Sequence, residues 1–353
     1  MDNCVMMHDK PLETFREALA DPGTTILQAK RVKDPVFDFA CSTASALRSL
    51  PRQTESRFLY DARGSELFEL ITKQPEYYLT SIEAELLEEN AKQIREATGA
   101  VTLVELGSGS SVKTDYLLRA WLAQDLEVRY IPVDVSKSAL QTARRSITAT
   151  HPAVQLIGIN SSYQDAFPLL RETSPVMALF LGSSIGNFAP DDMFNFLRDL
   201  SAALLPGDFF LLGVDLVKEP GLIHAAYNDA AGISAEFTRN LFVRMNRELG
   251  SGIDLSSVGH VATYNPKKEQ MEIFARFGSR QTVEISPLKE RYIIDSGELV
   301  NTEISRKFRL HRLIPQLERF NFDTEKVFID EREWFALILM RRVDQLQGPG
   351  RPL

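Results

Sequence analysis

Residues 103–114, LVELGSGSSVKT, join a short apolar run to a turn with two glycines. The pattern around this turn decides what it can hold. A dinucleotide fingerprint, G-x-G-x-x-G, accounts for Gly107 and Gly109 but meets Val112 where the third glycine belongs. A phosphate-cradling loop, G-x-x-x-x-G-K-[ST], accounts for Gly107, Lys113 and Thr114 and fails at the same valine. A β-branched side chain at that position opposes the backbone path that wraps phosphates. The remaining pattern is an acid followed by G-x-G: Glu105, Gly107 and Gly109 close one strand, and Asp134 closes the next. Glycines let a ligand approach the backbone, and an acid at the end of the second strand suits the two hydroxyls of a ribose.

Outward from the turn, five apolar runs alternate with helical stretches: TLVELG, VRYIPVDV, AVQLIGI, VMALFLG and FFLLGVDL. Near-continuous apolar strands separated by helices predict a parallel sheet covered on both faces. Thr80 and Glu83 stand at capping-box spacing ahead of a helix from about residue 81, and Ser136 is placed to cap SKSALQTARRSI. After Asp215 the rhythm breaks. Phe237, Leu241, Met245 and Leu249 recur at i, i+4 and predict one long amphipathic helix. Asn265-Pro266-Lys267-Lys268 reads as a turn between strands, with Met271, Ile273 and Ala275 on one face. The α/β rhythm resumes near Phe308 with the helix RLHRLIPQLERF and two strands, EKVFIDE and WFALILMRR, close enough to pair as a hairpin. The expected class is α/β: a Rossmann-like doubly wound sheet with a terminal antiparallel hairpin, made by residues 81–217 and 308–353. Residues 1–80 and 218–307 are expected to form a second, α+β, substrate-recognition domain, with a ligand cleft between the two.

Composition narrows the function classes. The chain has 353 residues, 44% hydrophobic, with a net charge of −8. That is enough apolar material for more than one domain, and the acidic balance disfavours nucleic-acid binding. No apolar run has spanning length and the N-terminus lacks signal-peptide character, so a soluble, cytoplasmic monomer is expected, with no membrane partner. Cys4 and Cys41 make no disulfide framework, and the five scattered histidines show no metal-binding spacing, so no metal site is expected.

The acid–G-x-G turn, Asp134 and the terminal hairpin together resemble class I S-adenosylmethionine-dependent methyltransferases. Lys113, at the start of the next helix, is disfavoured there by the macrodipole; pairing with the methionine carboxylate of S-adenosylmethionine gives it a reason. Six longer strings resemble one family within that class: LYDARGSELFELITKQPEYYLT (59–80), LVELGSGSSVKT (103–114), LFLGSSIGNF (179–188), AAYNDAAGISAEFTRN (225–240), MNRELG (245–250) and TEISRKF (302–308). They are similar to the histidine-specific Nα-methyltransferases of ergothioneine biosynthesis. The resemblance implies methylation of the α-amine of L-histidine, three times over, to hercynine. It implies cofactor contacts from Tyr60, Gly107, Lys113, Asp134 and Gly182, and an amino-acid pocket of Tyr77, Asn187, Tyr227, Glu303 and Ser305. Asn187 and Tyr227 would hold the substrate carboxylate; Glu303 and Ser305 would read the imidazole. Two departures stand out. Ser162-Tyr163 replaces the family's usual acid and phenylalanine at the adenine, and Ile273 replaces a methionine lining the imidazole pocket.

The residue types fit this chemistry. Methyl transfer needs a neutral amine in line with the methyl carbon, so positioning and desolvation dominate. Tyr60 and Asn187 are the candidates to orient the nitrogen, and neither is a strong base. Glu303 and Ser305, two apart on a strand, share a face and match an N–H and a lone pair on one ring. Two other readings stay open: an N-methyltransferase for another aromatic amino acid such as a tryptophan derivative, poorly matched to Glu303, and a non-catalytic cofactor-binding regulator.

Overall fold

The computed structural model describes residues 6–21, 25–28 and 34–344; Cys4 and the chain after Asp344 lie outside them. The chain opens with α1 (Met6–Ala20), β1 (Thr25–Gln28), α2 (Pro35–Arg48), α3 (Ala62–Ile71) and α4 (Tyr78–Thr98). There follow β2 (Thr102–Leu106), α5 (Thr114–Leu122), β3 (Val128–Asp134), α6 (Lys137–Thr150), β4 (Val154–Asn160) and α7 (Tyr163–Leu170). Next come β5 (Val176–Phe180), α8 (Pro190–Ala203) and β6 (Phe209–Asp215). The insertion holds α9 (Pro220–Ala226), α10 (Ile233–Leu249), β7 (Val258–Asn265), β8 (Gln270–Phe277), β9 (Gln281–Ile285), β10 (Glu290–Ile294) and β11 (Leu299–Arg306). The chain ends with α11 (Leu310–Glu318), β12 (Phe322–Ile329) and β13 (Phe335–Arg342).

Eight strands form the main sheet in the order β1-β4-β3-β2-β5-β6-β13-β12. The first six run parallel to their neighbours, and β13 and β12 close the far side antiparallel, as the terminal hairpin predicts. Successive strand residues serve opposite cores. Leu103, Tyr130, Met177, Leu211 and Leu337 pack with α4 and α5, while Val104, Ile131, Ala178, Leu212 and Ile338 pack with α7, α8 and α11. Both faces are therefore dry, the reason these strands read as unbroken apolar runs. The strand order reverses between the parallel neighbours β2 and β5, so the turns after those strands open onto one crevice.

Three features depart from the sequence reading. Residues 1–80 do not join the insertion as a block: β1 pairs with β4 at the sheet edge, and Phe15 of α1 is buried in the core under the sheet. The insertion's core is continuous with the α4 face of the sheet, through Phe237, Leu241, Phe242 and Phe277. The third departure is the capping box. α4 starts at Tyr78 with no side-chain cap, and Glu83 points inward, fully buried, to partners described below. The other local signals hold: Ser136 accepts a hydrogen bond from the Ala139 N–H as the N-cap of α6, and the strands around Asn265–Lys268 pair antiparallel. The insertion adds β11 to that pair and a separate β9–β10 hairpin.

Candidate active site

The glycine turn is braced rather than loose. Gly107 and Gly109 take φ values of +75° and +51°, the left-handed region that L side chains avoid. Asp134 holds the turn from β3: its Oδ2 accepts from the Gly109 N–H at 2.8 Å and its Oδ1 from the Ser136 N–H at 2.7 Å. A Cβ on Gly107 would stand 2.7 Å from the Tyr163 hydroxyl oxygen, whereas one on Gly109 would meet nothing within 4 Å. One glycine thus gives way to a neighbour, and the other faces open space. Glu105 lies beneath, accepting hydrogen bonds from Thr114 Oγ1 and from the Tyr130 hydroxyl. Burial pushes its carboxyl up to about 7. Ser108 Oγ is buried without a partner among the described residues.

Lys113 caps α5 by position, and its ammonium, which the sequence reading pairs with the methionine carboxylate, pairs with Glu83. The two Glu83 oxygens also accept from the Gly182 N–H at 2.7 and 2.9 Å. Gly213 makes room, since a Cβ there would lie 2.1 Å from Glu83 Oε1. Glu83 therefore ties α4, the glycine turn and the end of β5 together. Sequence reasoning read it as a cap; a glycine inside the apolar strand FFLLGVDL was the signal for a close approach. Ser162 caps α7, with its Oγ accepting from the Asp165 N–H at 3.2 Å and donating to Asp165 Oδ2 at 3.0 Å. The Tyr163 ring packs edge-on against Phe180, Phe188 and Phe196.

A cleft opens beside this end, lined by Tyr60, Tyr77, Gly182, Asn187, Tyr227, Ile273, Glu303 and Ser305. All the expected amino-acid-pocket residues meet here, from five separate segments. Gly182 belongs to both ends, and Lys113, Asp134, Ser162 and Tyr163 sit on the glycine-turn side. Asn187 ends a 3-10 turn after β5, held against β11 because Gly186 packs on the Arg306 carbonyl, where a Cβ would lie 2.8 Å away. Asn187 Nδ2 donates to Glu303 Oε1 at 3.0 Å. Burial raises the Glu303 carboxyl to about 7, against the lowering pull of Lys307 and Asn187. The Tyr227 hydroxyl donates to Ser305 Oγ at 2.7 Å. The residues expected at the carboxylate and those expected at the imidazole are thus hydrogen-bonded to one another in this conformation.

The hydroxyls of Tyr60 and Tyr77 make no hydrogen bond to any described residue. Their rings pack edge-on, Tyr60 against Phe68 and Phe237 and Tyr77 against Phe68 and Tyr227. Burial holds both phenols well above 10, so both stay protonated.

Two groups behind the cleft were not singled out from the sequence. His260 receives or gives hydrogen bonds at Thr238 Oγ1 (2.9 Å) and the Tyr227 carbonyl (3.0 Å), and burial lowers its pKa, keeping it neutral. Lys307 is fully buried; its ammonium reaches Asp215, Tyr227 and Ser305. Asp215 ends β6 and also receives the Tyr78 hydroxyl and Lys218. Strand parity pointed to Lys307, two residues beyond Ser305 as Ser305 is two beyond Glu303. Among the described residues no cluster of His, Cys, Asp and Glu could hold a metal ion, and no helix is long and apolar enough to cross a membrane.

Comparison with known proteins adds a family to this geometry. The family described as histidine-specific, SAM-dependent methyltransferases matches residues 39–342. The chain is 39% identical over 298 residues to a histidine N-alpha-methyltransferase of Mycolicibacterium smegmatis, covering 84% of this chain and 93% of that protein. It is 36% identical over 295 residues to one from Mycobacterium tuberculosis, covering 84% and 92%. A 4-dimethylallyltryptophan N-methyltransferase of Claviceps purpurea is 28% identical over 51% of this chain and 56% of its own length.

Proposed function

The chain belongs to the histidine-specific, SAM-dependent methyltransferase family, and on that premise we propose that it methylates the α-amine of L-histidine three times, giving hercynine within ergothioneine biosynthesis. The observation that carries the substrate assignment is the Glu303–Ser305 pair on one face of β11, both lining the cleft. A carboxylate accepts the ring N–H, and the hydroxyl beside it meets the ring lone pair. An indole has one donor and no ring lone pair in its plane, and would leave this pair half unmatched.

The donor end suits S-adenosylmethionine on its own evidence. Gly109 faces open space, Gly107 and Gly182 carry left-handed φ, and the buried Ser108 Oγ lacks a partner. Asp134 would hold the ribose, Gly107 and Gly182 would admit backbone contact, and Tyr163 would pack beside the adenine. Ser162, which caps α7, would lie near the adenine as well. Lys113, neutralised by Glu83, would meet the methionine end. When bound, S-adenosylmethionine supplies a sulfonium methyl group.

The chain's own residues place the acceptor. Tyr60 and Asn187 orient the amine: the protonated phenol and the amide carry polar atoms toward the cleft, and neither is a base. The α-ammonium loses its proton to water before transfer, so the catalytic contribution is alignment and exclusion of solvent. Repeated transfer fits a site with no obligatory acceptor for each amine proton, since a buried acceptor losing its N–H costs about 1–3 kcal/mol.

Mass spectrometry of reactions with histidine, tryptophan or no amino acid tests this. Trimethylated histidine is the expected product. Methylated tryptophan alone would replace the substrate assignment, and cofactor binding with no product would favour the regulator.

A further inference from the structure

Behind the ring-reading pair, the Lys307 ammonium has all three of its N–H donors in use. It donates to Asp215 Oδ2 at 2.7 Å, to Tyr227 Oη at 2.8 Å and to Ser305 Oγ at 2.9 Å. Tyr227 Oη, already accepting from Lys307, turns its own proton to Ser305 Oγ at 2.7 Å. A serine hydroxyl has two lone pairs and one proton. Both Ser305 lone pairs are therefore filled from the protein side, and its proton has no acceptor among the described residues. Ser305 lines the cleft, so the proton is left to point there.

From this count we propose that Lys307, seated on Asp215, is a specificity-determining positioning residue: it fixes Ser305 as a donor and so makes the pocket select a ring that offers a lone pair beside an N–H. The proposal rests on the histidine reading above and says which of its groups gives direction to the serine. Left to itself, a serine accepts as readily as it donates and would not distinguish an acceptor nitrogen from a second N–H. The Asp215 carboxylate keeps the ammonium in place, with Lys218 and the Tyr78 hydroxyl on its other lone pairs. Lys307 touches no substrate; it acts through Ser305 and Tyr227. A buried charge with every proton assigned is a stiff way to hold one hydroxyl in one orientation.

The test is a pair of affinity ratios, measured by calorimetry on the full-length protein with S-adenosylhomocysteine present. L-Histidine is compared with the two pyrrolylalanine isomers, which keep the ring N–H and lack the ring lone pair. The native protein is expected to prefer histidine at least tenfold over both. In Lys307→Met the Ser305 proton can turn back to Tyr227 Oη, so the preference is expected to shrink to under threefold, mainly through weaker histidine binding. Lys307→Arg, which keeps the charge and donors, is expected to restore part of it. Tyr227→Phe frees one Ser305 lone pair and removes one of the three Lys307 acceptors while leaving the Lys307–Asp215 pair in place, and it is expected to narrow the ratio as well. This second variant carries the test if Lys307→Met does not fold, and thermal melts identify that case. An unchanged ratio in both variants, or equal weakening of all three ligands, overturns the role given to Lys307. A native protein that does not prefer histidine at all instead overturns the substrate reading beneath it.

Discussion

At the glycine-turn end, Asp134 braces two backbone amides at 2.7–2.8 Å, and the turn's shape follows from left-handed glycines at the tip of one strand. At the imidazole end, Glu303, Ser305, Asn187, Tyr227 and Lys307 come from three segments between residues 187 and 307 and hold one another through side chains. The first is a backbone site with one acid; the second is a side-chain network with little backbone in it. The difference teaches where each is vulnerable. A backbone site fails when a Cβ or a strained turn changes its path. A network fails when one member leaves the others buried and unpaired.

The sharpest way to break this comparison is to delete one acid from each end. Glu303→Ala is expected to weaken histidine binding about 30- to 150-fold, as for a charge-assisted hydrogen bond of ~2–3 kcal/mol, with S-adenosylhomocysteine affinity changed less than about twofold. Asp134→Ala should do the reverse. Calorimetry with each ligand decides, and equal losses of both ligands in both variants would mean the ends are not separable.

A pH series sharpens the contrast in stability. Burial holds the folded Glu303 carboxyl at about 7, above its ordinary 4.5. The folded state thus binds this proton more tightly than the unfolded chain, and the associated stability is lost as pH rises from about 4.5 through about 7. Glu303→Gln is expected to melt several degrees above the native protein near pH 8 and at about the same temperature near pH 4. A constant difference across the range would show that ionisation of this carboxyl is not the cause.

At the other end, Gly107→Ala combines left-handed strain with a Cβ 2.7 Å from the Tyr163 hydroxyl. A loss of about 1–2 kcal/mol is expected in denaturant melts, part of it recovered when Tyr163→Phe is added. Full additivity of the two changes would remove the contact from the explanation. The smallest effect is expected for Ser162→Asp. Aspartate caps a helix as well as serine, so S-adenosylhomocysteine affinity should stay within about threefold; a tenfold loss would place the adenine elsewhere.

Sequence alone determined the alternation of strands and helices, the terminal hairpin, the glycine turn with Asp134, and the face shared by Glu303 and Ser305. These are properties of short segments: period, parity, and the few residues that tolerate a left-handed backbone. The family strings added Tyr60, Tyr77, Asn187 and Tyr227, which local chemistry could not separate from packing aromatics and a turn asparagine. Only the tertiary structure decided that Glu83 is no helix cap but a buried tie between Lys113 and Gly182, that β1 completes the sheet edge, and that Lys307 on Asp215 saturates Ser305. Each of those depends on partners 90 or more residues apart or on a register set by other strands. A carboxylate or ammonium in a sequence shows its charge but not which buried group will neutralise it, because that choice is made when distant segments leave water together.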